Sequence, residues 1–372
     1  MIPHSGFFCG ALWLCLLVAA PAEEKEVDRT AIAIEALSRM ENVDLEQNPA
    51  VKVAVLKVLE KTRGRPAFVQ IVRQFKLKDQ DEGLLEVVVA NPASEASVEA
   101  TRLMLAHEPG QARLQQALKY TNAAPVIEAL GNAHDKKGTS LLTAFVGNPS
   151  FAAELRRAAV RSLVQTRAGA EALVNLANSN HLPADVRFSA GAELQTIRWP
   201  EIKMAASKLF PPLEGKGNQT LPPVAELLKM KADAANGARI FAHAEVGCIS
   251  CHRVLGQGAE VGPDLSEIGS KLGRDALIES IVDPNAGISF GYEANQIELK
   301  SGDEAYGLVV SDTADEIAIK DAKGIVARYR KKDVARREVL KQSIMPTGLH
   351  ATMTTQEFAD LIEYLASLKK PN

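Results

Sequence analysis

Between residues 30 and 200, apolar side chains return every three or four positions, and this period commits nearly half of the 372-residue chain to helix. Val51, Val55, Val58 and Leu59 share one helical face, and similar amphipathic segments begin near Val98, Val126, Leu155 and Val186. Asn48-Pro49, Asn91-Pro92 and Asn148-Pro149 punctuate them, because the proline ring disfavours helix in the residue before it. The best internal match sets Leu155-Arg156-Arg157-Ala158-Ala159 beside Val186-Arg187-Phe188-Ser189-Ala190. Short repeated helices bury their apolar faces only by stacking on neighbours, so a mainly α chain with an α-solenoid over residues 30–200 is expected. An irregular helical bundle shares the same period and stays open as the alternative.

A boundary follows Trp199-Pro200. Residues 201–223 read as a linker, with four prolines, Gly215 and Gly217 inside 211–223. Residues 224–372 then change character. Helices are expected over 237–244 and near 274–282. A final helix starts at a capping box, Thr354 with Glu357, and presents Phe358, Leu361, Ile362, Leu365 and Leu368 on one face. Alternating stretches lie between them, at 293–299, 305–310, 316–320 and 325–330. Ser301-Gly302-Asp303 and Asp321-Ala322-Lys323-Gly324 supply turns. These features predict a small antiparallel β-sheet, about 292–330, inserted into a helical domain.

Residues 1–22 stand apart. An apolar run over 7–20 ends at Ala20-Pro21-Ala22, a small-residue cleavage pattern, and acidic residues begin at Glu23. They read as a signal peptide, which implies a periplasmic or secreted protein; a retained N-terminal membrane anchor is the alternative. The run is short for a span, and no later stretch is long enough, so no transmembrane domain is expected after signal removal. The formal net charge of −3 gives no field that would argue for nucleic acid. Cys9 and Cys15 fall inside the export segment, leaving Cys248 and Cys251 as one close pair. An exported chain with one such pair has no disulfide framework, and its two sulfurs need another explanation.

That explanation lies in Cys248-Ile249-Ser250-Cys251-His252, a C-x-x-C-H sequence. Two thiols at this spacing can each add to one vinyl group of a single haem, and the adjacent histidine is then held beneath the iron. One covalent haem c is therefore the expected cofactor. A zinc site would need four ligands where no second cysteine pair exists, and a dithiol redox pair would need a surrounding βαβ pattern that is missing. The second axial ligand should lie downstream. Met345, in Ser343-Ile344-Met345-Pro346, is the first choice: a thioether favours reduced iron, and the following proline stiffens its loop. Met353 and His350 are its rivals.

Residues 224–372 resemble a class I cytochrome c. Gly237 and Phe241 match its first helix, which in that fold crosses the last helix near Tyr364 and Leu365. Gly262-Pro263-Asp264-Leu265 matches its proximal loop. The resemblance implies that Gly262 and Pro263 pack beside the haem and that the Pro263 carbonyl accepts from the other ring nitrogen of His252. More narrowly, the segment is similar to a haem-binding domain family associated with HEAT-like repeats and membrane-bound dehydrogenases, and residues 30–200 look like degenerate HEAT-type repeats. Relatives often carry a dehydrogenase in the same chain, and this chain has none. The resemblance thus implies an electron-transfer protein rather than an enzyme, with a separate redox partner protein such as a dehydrogenase or another cytochrome. A peroxidase-like haem enzyme and a haem-based ligand sensor, each with an open sixth position, are the alternatives.

Other signals are weaker. Gly287-Ile288-Ser289-Phe290-Gly291 fits a nucleophile elbow, but the expected order of helix and strand around it is reversed. Gly256, Gly258 and Gly262 miss dinucleotide-loop spacing and are read as letting the backbone approach the porphyrin. Between residues 328 and 341 lie seven Lys/Arg and two Asp/Glu, either a solvated surface or a docking patch for an acidic partner. His107, His134 and His181 have no ligand spacing, and His243 is too near Cys248 to serve as a sixth ligand.

Overall fold

The computed structural model describes residues 29–40, 43–210, 221–243 and 246–370. The expected signal peptide and residues 211–220 of the expected linker lie outside the described residues; residues 201–209 of that linker instead belong to the helix Pro200–Leu209, because Ile202 and Ala206 give it a buried face on the array. The fold is mainly helical, with 17 α-helices and one five-stranded antiparallel sheet among the described residues.

Twelve of those helices run from Arg29–Ser38 to Pro200–Leu209. The Asn-Pro pairs fall at helix boundaries: Asn48 precedes Pro49–Thr62, Asn91 closes Asp81–Ala90, and Asn148 closes Lys136–Gly147. Pro49, Pro66 and Pro200 each open a helix, where the missing N–H costs nothing. Alternate helices stack into a row: Pro66–Gln74 on Glu95–Leu105, that helix on Ala123–Ala133, then Ala153–Leu163 and Ala184–Thr196. A second row includes Lys136–Gly147, Arg167–Asn178 and Pro200–Leu209. One apolar core between the rows extends from Leu37 to Phe210. The matched arginines do matching work. Arg156, 3% exposed, ion-pairs with Asp185 on the next helix of its row. Arg187 donates to the Leu209 carbonyl at 3.1 Å and lies 5.3 Å from the Phe210 ring centre.

The sheet comprises β1 (Glu293–Leu299), β2 (Glu304–Asp312), β3 (Glu316–Lys320), β4 (Val326–Arg330) and β5 (Val334–Ser343), in the order β4-β3-β2-β1-β5. The first four follow the alternation in the sequence. β5 extends the sheet beyond its expected end near residue 330, within the charged run. It pairs with β1, with Gln296 opposite Glu338, and leaves residues 335–339 exposed, so no apolar face betrays it.

One face of the sheet packs on the helical array. Val98, from Glu95–Leu105, joins Ile297, Ile317, Ile319 and Tyr329 in a common core. Arg102 donates to the Tyr329 hydroxyl at 2.6 Å and stacks 4.5 Å over its ring. Arg328 pairs with Glu95 at 2.5 Å, the Lys136 N–H donates to Asp303 at 2.9 Å, and Arg198 lies 3.7 Å over the Tyr306 ring.

The remaining helices form a separate core around Phe358 and Leu361. Ala234–Ala242 crosses Thr355–Ser367 at Gly237, where a Cβ would stand 2.0 Å from the Asp360 carbonyl oxygen. The expected capping box is present at Thr354 and Glu357.

Candidate functional site

Ala234–Ala242 delivers the chain to Gly247, whose φ of +77° turns it into the tight helical turn Cys248–Ser250. The Cys251 and His252 N–H groups donate to the Cys248 carbonyl at 3.2 and 2.9 Å, folding both thiols and the imidazole into one compact turn. Both cysteines are free and half-buried. Burial, with Cys251 close by, pushes the Cys248 thiol up to about 11, and burial raises Cys251 as well. Reactive redox cysteines show the opposite shift, so the dithiol alternative finds no support. Among the described residues, no group of three or more His, Cys, Asp or Glu is arranged to hold a metal ion.

The loop after the motif folds back over it. Ala259 N–H donates to the Ile249 carbonyl at 3.0 Å, Val261 and Gly262 N–H to the Cys251 carbonyl at 3.0 and 2.7 Å, and Leu265 N–H to the Arg253 carbonyl at 2.9 Å. This return brings Pro263 to His252. The histidine Nδ1 stands 2.8 Å from the Pro263 carbonyl oxygen, which can only accept. Nδ1 therefore carries the proton, and Nε2 presents its lone pair. Burial lowers the imidazole pKa against the Pro263 hydrogen bond, which favours the neutral, ligating form. Gly262 lies flat against the ring: a Cβ there would meet His252 Cε1 at 2.5 Å and Nδ1 at 2.8 Å.

Met345 is half-buried against the same core that borders Cys248, Ile249 and Leu265. Its N–H donates to Ser343 Oγ at 3.1 Å, and the Ser343 N–H donates to Asn285 at 2.8 Å, which ties the loop to the end of β5. Met353 is 3% exposed and belongs to the core itself. His350 has a buried Nδ1 with no hydrogen-bond partner, and its ring lies 6.4 Å from Phe358.

The sequence missed one neighbour of the site. The turn between β3 and β4 places the Ala322 carbonyl oxygen 3.8 Å from Cys251 Sγ, and Lys320 Nζ donates to the Glu260 carbonyl at 2.9 Å. The other signals resolve simply. Residues 287–291 follow a helix and precede β1, the reverse of a nucleophile elbow. In the basic run, Arg328, Lys331, Arg336 and Arg337 all pair with acidic side chains nearby. His107 caps its helix, and His134 sits at the junction of array and sheet.

Two attachable thiols, a neutral imidazole with one nitrogen tied off, and a glycine pressed against its ring fit a covalently held haem and define a c-type haem-binding domain. Residues 234–318 match the family model for Cytochrome c. The chain thus carries a cytochrome c domain, which implies covalent haem c, haem-based electron transfer and redox partners. No curated protein matches the chain.

Proposed function

We propose that the chain is an exported electron carrier with one haem c, attached through Cys248 and Cys251 and ligated by His252 and Met345. The observation that carries this reading is the hydrogen bond from His252 Nδ1 to the Pro263 carbonyl, beside the glycine against the ring. When bound, the haem supplies a one-electron couple between Fe(III) and Fe(II). The protein's part is orientation and tuning. Pro263 fixes the histidine tautomer and strengthens it as a donor. Gly262 admits a close proximal wall, and the Met345 thioether favours the reduced state. The stacked helical rows support a HEAT-like solenoid that presents a surface to the partner, and the arrangement suits the haem-binding family found with such repeats and membrane-bound dehydrogenases. The electron partner is then a separate dehydrogenase or another cytochrome.

Absorption spectra of the oxidised and reduced holoprotein test the reading. A low-spin spectrum with the weak methionine–iron charge-transfer band is expected, and Met345→Ala should abolish that band. Survival of the band in the variant would move the ligand to Met353. Rapid carbon monoxide binding by the unaltered protein would replace the carrier with an enzyme or sensor.

A further inference from the structure

The turn between β3 and β4 touches two regions far from it in sequence. On one side it lies against the haem-attachment segment. The Ala322 carbonyl oxygen stands 3.8 Å from Cys251 Sγ, Lys320 Nζ donates to the Glu260 carbonyl at 2.9 Å, and a Cβ on Gly324 would stand 3.3 Å from a Val261 methyl. On the other side it is held by the helical array: Lys323 Nζ donates to Asn132 Oδ1 at 3.0 Å. Asn132 is 2% exposed, and its Nδ2 donates to the Pro92 carbonyl at 3.1 Å. The turn itself is braced, because Asp321 Oδ1 accepts from the Lys323 and Ile325 N–H groups, both at 2.9 Å. An unbroken series of contacts therefore runs from the array, through Asn132 and Lys323, to the sulfur of Cys251. Packed and hydrogen-bonded series of this kind can carry coupling between separate regions.

We propose that this turn is a positioning element for electron transfer, through which the helical array sets the reduction equilibrium of the haem. The inference rests on the reading of Cys248, Cys251 and His252 as the attachment segment. It has two parts. Lys320 holds its ammonium group on the Glu260 carbonyl, beside that segment, and a nearby cation favours the iron state with less positive charge. Asn132 holds the turn in register, so a partner that shifts this end of the array also shifts the backbone against Cys251.

The experiment measures two quantities on holoprotein: the midpoint potential, and amide exchange over residues 248–262. Lys320→Met should move the reduction equilibrium about tenfold toward the oxidised form, roughly 59 mV for a one-electron couple. It should also speed exchange at Val261 and Gly262, whose amides hold the Cys251 carbonyl. Asn132→Ala keeps every charge on the turn and removes only its anchor; it should shift both readouts in the same direction by a smaller factor. Lys331→Met, just past the end of β4 and paired with Asp312, should leave both at the unaltered values. Haem-bearing Lys320→Met and Asn132→Ala proteins with unchanged potential and exchange would defeat the inference while leaving the proposed function intact. An unaltered chain that matures without haem would remove the function and the inference together.

Discussion

Gly262 is glycine because the imidazole of His252 occupies the space a side chain would need. Gly262→Ala must displace either the ring or the loop, and overpacking of this kind costs about 1–3 kcal/mol. The holoprotein should show weakened axial ligation in its visible spectrum and a lower denaturation midpoint, while haem mass stays attached through the two sulfurs. An unchanged spectrum and midpoint would show that the ring has room to move. At this scale legibility followed sequence distance. The cysteines and histidine are contiguous and could be read directly, and Gly262 and Pro263 were reached through resemblance. Ala322 lies 71 residues from Cys251, in a turn of ordinary turn residues, so nothing local marks it as a neighbour of the site. Leu255, exposed and with a left-handed φ of +49°, was equally invisible.

Among the elements, the crossing of Ala234–Ala242 with Thr355–Ser367 is fastened by Asp360, which is 3% exposed. Its carboxylate accepts from the Asp233 N–H at 2.8 Å, Asn236 Nδ2 at 2.7 Å and Gln356 Nε2 at 2.8 Å. Desolvation works to raise its pKa, but these donors prevail and hold it below the ordinary 3.8. The unfolded chain therefore binds this proton first. The contribution of Asp360 is complete above pH 3.8 and is lost as pH falls below it. Asp360→Asn should lower stability at neutral pH and flatten the acid limb of a stability–pH curve; an acid limb identical to that of the unaltered protein would refute the assignment. Pro200–Leu209 falls within the expected linker, whereas the last helix and four strands were legible because each has an apolar face. β5 was not, because it is an edge strand with charged residues on an exposed stretch, a common way to blunt such an edge.

For the molecule as a whole, the composition break after Trp199 marks two regions but not their embrace: Arg102, Arg198 and Lys136 reach across to the sheet through contacts about 100 to 230 residues apart in sequence. Arg102→Ala removes a hydrogen bond and a ring contact at once, and should split a single thermal unfolding transition into two; one unbroken transition would show the junction does not need it. His134 lies within this junction. Desolvation, with Arg102, Lys323 and Arg198 nearby, lowers its pKa to about 3 despite a hydrogen bond to Gln165. The folded ring thus refuses a proton that the unfolded one accepts near 6.5, so stability should decline as pH falls below 6.5 and level off near 3. His134→Asn, which tolerates the left-handed backbone at that position, should remove this decline in melting temperature against pH.

The strand order carries a metric consequence. β4 and β5 are the two edges of the sheet, and the chain passes from β5 straight into the Met345 loop. Four inter-strand gaps at about 4.8 Å each make the sheet a ruler of roughly 19 Å. Lengthening or shortening it by one hairpin would move that loop by about 10 Å relative to the β4 edge.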